Sequence, residues 1–217
     1  MYDDRYDAGK KLVDLLKNYK EKDIRVIAIP NGGVPVAAEI VEELGGKMTL
    51  LVVRKLQIPY NPEAGFGAVT MDGMVIFNDK LLNYLHLTRF QIEQIIVKTK
   101  ADIYDRIKYY GIDYTDFRKK VKDKIVVMVD DGLASGYTML AGVKSVINYN
   151  PSEVVIAVPT APKSSVELLS DYAKVICPNI RDVSYFAVAD AYKHWRDLNN
   201  DEVLKIIKKL RAENFYF

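Results

Sequence analysis

The sequence is poor in the residues that build metal and redox sites. Among 217 residues there is one cysteine, Cys177, which excludes an internal disulfide and a cysteine-ligated metal cluster. The two histidines, His86 and His194, have no metal-ligand spacing to one another or to a further ligand. No apolar run is long enough to span a bilayer, and the first residues lack the apolar stretch of a secretion signal. A cytoplasmic protein with no membrane partner is therefore expected. Neither sign of charge is in excess. Lys and Arg number 31 against 29 Asp and Glu, the net charge is +2 and the signs are interspersed, so nothing calls for nucleic acid. Two phosphate motifs are also missing. There is no G-x-x-x-x-G-K-[ST], which argues against a P-loop nucleotide hydrolase, and no G-x-G-x-x-G, which argues against a Rossmann dinucleotide site.

What is present alternates between strand and helix patterns, as expected for one α/β domain over 1–217 with a parallel sheet flanked by helices. Expected strands cover 24–29, 48–53, 125–129, 154–158 and 174–177. Expected helices cover 4–19, 35–44, 79–85 capped by Asn78, and 139–147. Others cover 164–170, 201–210 and a long one to Tyr110 that opens on a Thr88/Gln91 capping box. Residues 57–67, rich in Pro, Gly and Asn, read as a long loop, and 68–77 as a hairpin turning at Asp72-Gly73.

The most informative run spans 126–138. Four apolar residues, Val126 to Val129, read as a buried parallel strand. Asp130 and Asp131 stand where that strand leaves the sheet, the end at which open parallel sheets bind ligands. Two adjacent carboxylates repel when dry and need hydroxyl donors, a metal or water. Vicinal ribose hydroxyls with a hydrated Mg2+ suit both. Gly132, Leu133, Ala134, Ser135, Gly136, Tyr137 and Thr138 then form a short loop with two glycines and two small hydroxyls, entering a helix whose N-terminus favours a phosphate dianion. Together these describe a site for a phosphorylated sugar.

This run resembles the signature of type I phosphoribosyltransferases, enzymes that use phosphoribosyl diphosphate (PRPP). The resemblance implies their α/β fold, with a small hood and a flexible loop or hairpin over the sheet. The core would cover about 20–178, and the hood and last helix about 179–217. It implies that Asp130 and Asp131 hold the ribose, and Mg2+ through water or the ribose, while the loop from Gly132 to Thr138 holds the 5'-phosphate. The second loop, Asn31-Gly32-Gly33, opens a helix after the first strand and would bind the diphosphate. Arg54 and Lys55, at the end of the second strand, would steady its departure.

The segment 59–69 resembles the N-P-E-x-x-x-G-A-V stretch of an uncharacterised predicted phosphoribosyltransferase subfamily, with Glu63 in the loop that closes over substrate. Further resemblance to that subfamily runs from Asp4-Arg5-Tyr6-Asp7-Ala8-Gly9 to Asp201-Glu202-Val203. One departure is Asn31, where the subfamily carries arginine, which removes a guanidinium from the diphosphate site. Tyr185 or Phe186, in the hood, could stack on a base. The expected reaction is transfer of ribose 5-phosphate from PRPP to a nitrogenous base with Mg2+, in a homodimer. The alternative is a regulatory protein of the same fold that binds PRPP or a nucleotide without catalysis.

Overall fold

The structure, a computed structural model, describes residues 1–183 and 186–217, and the side chains of Pro62 and Glu63 lie outside the description. The chain begins with helix α1 (Arg5–Leu15), strand β1 (Ile24–Ala28), helix α2 (Gly33–Leu44) and strand β2 (Lys47–Leu50). Strands β3 (Val53–Ile58), β4 (Asn61–Thr70) and β5 (Val75–Phe77) follow, then helices α3 (Asp79–Leu85), α4 (Arg89–Tyr110) and α5 (Phe117–Val121). Strand β6 (Ile125–Val129), helix α6 (Tyr137–Ile147), strand β7 (Glu153–Ala157) and strand β8 (Thr160–Pro162) come next. Helix α7 (Lys163–Ser170), strands β9 (Lys174–Ile176) and β10 (Asn179–Arg181), and helix α8 (Asn200–Ala212) complete it.

The main sheet has five parallel strands in the order β2-β1-β6-β7-β9. Side chains alternate across a strand, so each central strand feeds two cores. Val26, Ala28, Val127, Val129, Val155 and Ala157 face the core under α1, α2, α4 and α8. Ile27, Val126, Met128 and Ile156 face the core under α5, α6 and α7. Burial on both faces explains why these strands read as unbroken apolar runs. Each fully buried Val, Leu or Ile is worth about 1.5–3 kcal/mol relative to exposure.

Helix ends follow the local signals. The Asp4 carboxylate accepts from the Tyr6 and Asp7 N–H groups, and the Thr88/Gln91 box starts α4. A second box, Asn199 with Glu202, starts α8.

Two stretches depart from the sequence reading. Residues 57–67 are not a loop: β3 and β4 form an antiparallel hairpin that continues into β5 as a separate three-stranded sheet. The Gly and Pro content misleads because the glycines serve close backbone approach. A Cβ at Gly67 would lie 2.3 Å from the Ile76 carbonyl oxygen. The strand expected at 48–53 also divides. Its first part stays in the main sheet as β2, and from Val53 the chain pairs with β4, so Arg54 and Lys55 open a new sheet rather than ending an old one. The last residues dock on β2, where the Met48 N–H donates to the Phe215 carbonyl at 2.6 Å and the Tyr216 ring is buried.

Candidate active site

The strand order reverses between β1 and β6: β1 leads outward to β2, and β6 leads the other way to β7. Such a switch point opens a crevice beyond the carboxyl ends of the two strands. The loop after β1 and the loop after β6 leave from these adjacent ends. They approach closely, since a Cβ at Gly33 would lie 2.7 Å from the Val129 carbonyl oxygen.

Above the crevice lies a cavity of about 480 Å³. Its walls include Asp130, Gly132 to Thr138, Arg54, Lys55, Pro30 and Val188. Ala64 and Gly65 of the β3–β4 hairpin also line it, so the segment expected to close over substrate is a hairpin beside the cavity. The Glu63 side chain lies outside the described residues.

The loop from Gly132 to Gly136 is held from behind. The Leu133 N–H donates to the Thr160 carbonyl at 2.9 Å, and the buried Ser165 hydroxyl donates to the Ala134 carbonyl at 2.6 Å. Ala134 and Ser135 themselves are exposed to the cavity. Gly136, with φ +79°, turns the chain into α6, and no side chain among the described residues caps that helix. Its first N–H groups thus face the cavity, where an anion would satisfy them. Tyr137 lines the cavity while its ring packs on the core beneath α6.

Arg54 and Lys55 bring positive charge to the cavity wall, and the β3–β4 pairing shifts register just after Lys55. Burial, with Arg106 nearby, lowers the pKa of Arg54, as expected of a guanidinium that gains from an anion.

The two acids have different environments. Asp130 lines the cavity and its Oδ1 accepts from the Asp131 N–H at 2.8 Å. Burial and the adjacent Asp131 charge push its carboxyl well above the ordinary range. Asp131 does not line that cavity. Its Oδ2 accepts from Arg5 Nε at 2.7 Å, and although burial raises its pKa, the Arg5 charge opposes the rise. With one cation beside two buried acids, hydroxyl donors or a divalent cation would favour the charged form of the second. No cluster of three metal-ligating side chains occurs among the described residues. A divalent cation at Asp130 would therefore need water and a phosphorylated ligand to complete its coordination.

Asn31 is placed differently from the sequence expectation. Its side chain turns from the cavity, donating to the Leu198 carbonyl at 2.8 Å and accepting from Arg106 at 2.8 Å. Gly32 and Gly33 do not line the cavity either: Gly32 packs on the Asp131 carboxylate, and the Gly33 N–H donates to the Ile29 carbonyl at 3.1 Å. In the hood, Tyr185 lies outside the described residues. Val188, rather than Phe186, is the hood residue that lines the cavity among those described. Sequence reasoning missed Val188, Ser165 and Arg5. Ser165 and Val188 carry no local signal, whereas Arg5 stood inside the Asp4-to-Gly9 motif.

The phosphoribosyl transferase domain family matches residues 5–193. The chain belongs to that family. A Mycobacterium tuberculosis protein named "Putative phosphoribosyl transferase" is 32% identical over 215 residues, 98% of this chain but 48% of its own length. The chain thus spans about half the length of the curated relatives it matches. A Thermus thermophilus protein of known crystal structure superposes with a TM-score of 0.76 at 29% identity, over 96% of this phosphoribosyl transferase chain and 98% of that one. An Aquifex aeolicus protein shares the fold with a TM-score of 0.50 at 11% identity, over 81% of this chain and 74% of that one. No helix among the described residues is long and apolar enough to cross a membrane.

Proposed function

We propose that this phosphoribosyl transferase moves the 5-phosphoribosyl group of PRPP to a ring nitrogen of a nucleobase. In this reading the anomeric C–O bond breaks with its electron pair leaving on diphosphate, and a C–N bond forms. The proton displaced from the acceptor nitrogen goes to solvent. The observation that carries the reading is a single cavity whose lining brings together Asp130, the uncapped N-terminus of α6, Arg54 and Lys55. A sugar carrying two anionic groups matches that set of acid, anion site and cations.

The loop N–H groups and the hydroxyls of Ser135 and Thr138 would bind the 5'-phosphate, and Asp130 the ribose hydroxyls. Arg54 and Lys55 would take the diphosphate, where charge grows as the bond breaks. Asp130 and Asp131 would hold Mg2+ through water or the ribose, and a bound Mg2+ supplies charge neutralisation on the leaving group. The protein otherwise contributes orientation and shelter from water.

A second reading, a PRPP- or nucleotide-binding regulator, draws on Asn31. With its amide turned to α4 and α8, the loop expected to bind the diphosphate offers no side-chain cation. Following diphosphate release from PRPP and Mg2+ with a panel of bases separates the two. Base-dependent release supports transfer, and tight binding without release for any base supports regulation.

A further inference from the structure

The motif Asp4-Arg5-Tyr6-Asp7-Ala8-Gly9 is not used by the reaction proposed above, yet it reaches the acid pair. Asp4 caps α1, Gly9 is buried against α2, Ala8 packs with Tyr2 and Tyr192, and Arg5 is 7% exposed. From the first turn of α1, Arg5 Nε donates to Asp131 Oδ2 at 2.7 Å, and its Nη1 donates to the Arg196 carbonyl at 2.8 Å. The guanidinium lies 4.0 Å from the centroid of the Trp195 ring. Asp131 is fixed at a second point, where its carbonyl accepts from the Tyr192 hydroxyl at 2.6 Å. Its carboxylate packs over Gly32, where a Cβ would stand 1.9 Å from Oδ2. Finally, the Asp131 N–H donates to the Asp130 carboxylate that faces the cavity.

We propose that Arg5 is a positioning residue for the sugar-phosphate site: it holds Asp131 against Gly32, and through Asp131 fixes the orientation of Asp130. The inference rests on the reading of the cavity as a PRPP site. Its physical basis is the cost of an unpaired charge. Without Arg5, Asp131 becomes a second uncompensated buried carboxylate beside Asp130 and must turn toward the cavity or water. Either movement takes the carboxylate off Gly32 and loosens the Asp131 backbone, whose N–H holds Asp130. Trp195 and the Arg196 carbonyl complete the device by fixing the plane of the guanidinium, a role that lysine, a point charge, cannot fill.

The test is a double-mutant cycle read by calorimetric binding of PRPP with Mg2+ to the full chain. Arg5→Gln is expected to weaken binding about ten- to hundred-fold, the range for a lost hydrogen bond to a charged group. In an Asp131→Asn background the same change should cost less than about twofold, because its route is gone. Leu12→Ala, which loosens α1 from the core, should lower Tm and leave Kd unchanged. If Arg5→Gln does not fold, Arg5→Lys in both backgrounds gives the same pattern with a smaller factor. Unchanged binding in the Arg5 variants overturns the proposal. So does an equal loss in both backgrounds, or an equal loss from Leu12→Ala. Absence of PRPP binding by the wild-type protein overturns the PRPP reading and the inference with it, whereas binding by wild type with an unaltered Arg5 variant overturns the inference alone.

Discussion

Arg106 donates a hydrogen bond of 2.8 Å to the side-chain oxygen of Asn31. That oxygen also stands 2.9 Å from the Tyr110 hydroxyl, which is itself 2.8 Å from Asn200 Oδ1. A side chain on the loop expected to bind the diphosphate thus serves to join β1 to α4 and α8. Asn31→Ala is expected to destabilise the fold by about 1–3 kcal/mol, since Arg106 and Tyr110 lose a partly buried acceptor. Urea denaturation measures this. Because the amide does not reach the cavity, the affinity for PRPP should change by less than about fivefold, or less than ~1 kcal/mol.

Asp130 and Asp131 should respond differently to amide substitution. The Asp130 pKa is raised by burial and by its neighbour. A carboxyl whose folded pKa lies above its unfolded value binds more protons in the native state, so stability falls as pH rises through that interval. Asp130→Asn removes this penalty at neutral pH. It is expected to raise Tm by about 2–4 °C, or ~1 kcal/mol for a chain of this size, while abolishing Mg2+-dependent PRPP binding. Scanning calorimetry beside a binding isotherm checks both halves.

Asp72, at the turn between β4 and β5, clamps that hairpin to α6. Its carboxylate accepts from the Ser145 and Tyr149 hydroxyls, each at 2.8 Å, and from Thr70. Burial pushes its pKa up, but these hydrogen bonds prevail and hold it below the ordinary 3.8. A depressed carboxyl contributes stability that is complete above its unfolded pKa and lost as pH falls through the folded one. The wild-type protein should lose this part below about pH 4, the ordinary carboxylate range. Asp72→Asn should be less stable at pH 7 and show a shallower loss between about pH 4 and about pH 2. A Tm series across that interval would contradict the account if the two slopes were equal.

The Ser165 hydroxyl, 2.6 Å from the Ala134 carbonyl, ties α7 to the proposed phosphate loop. Ser165→Ala leaves every group on the cavity surface in place but releases the loop. Affinity for ribose 5-phosphate should fall about three- to tenfold, corresponding to a net hydrogen bond of ~1 kcal/mol. A Kd equal to the wild-type value would show that the loop is held by other contacts.

Legibility in the sequence followed locality. The strand, acids and loop from Val126 to Thr138 form one continuous stretch, and strand, turn and helix N-terminus are each set by neighbouring residues. Asp130 and the loop from Gly132 to Thr138 line the cavity, while Asp131 turns to Arg5. The alternation of β1 and β6 between two cores produced the apolar runs from which a parallel sheet was read. The hairpin of β3 and β4 was not legible, because Pro62, Gly65 and Gly67 carry loop chemistry and strand pairing overrode it. The locations of Asn31 and Val188 depend on elements far along the chain. Asn31 meets Leu198, 167 residues away. No local pattern encodes such contacts. Arg5 lay between the two cases: its motif was visible, but its partner, Asp131, is 126 residues distant.

The most direct measurement is mass spectrometry of the products after incubation with PRPP, Mg2+ and each member of a base panel. The account predicts, for at least one base, a product heavier than the base by a ribose 5-phosphate group, with one diphosphate released per product. Bound PRPP that stays intact with every base, or that yields only ribose 5-phosphate and diphosphate, would contradict it.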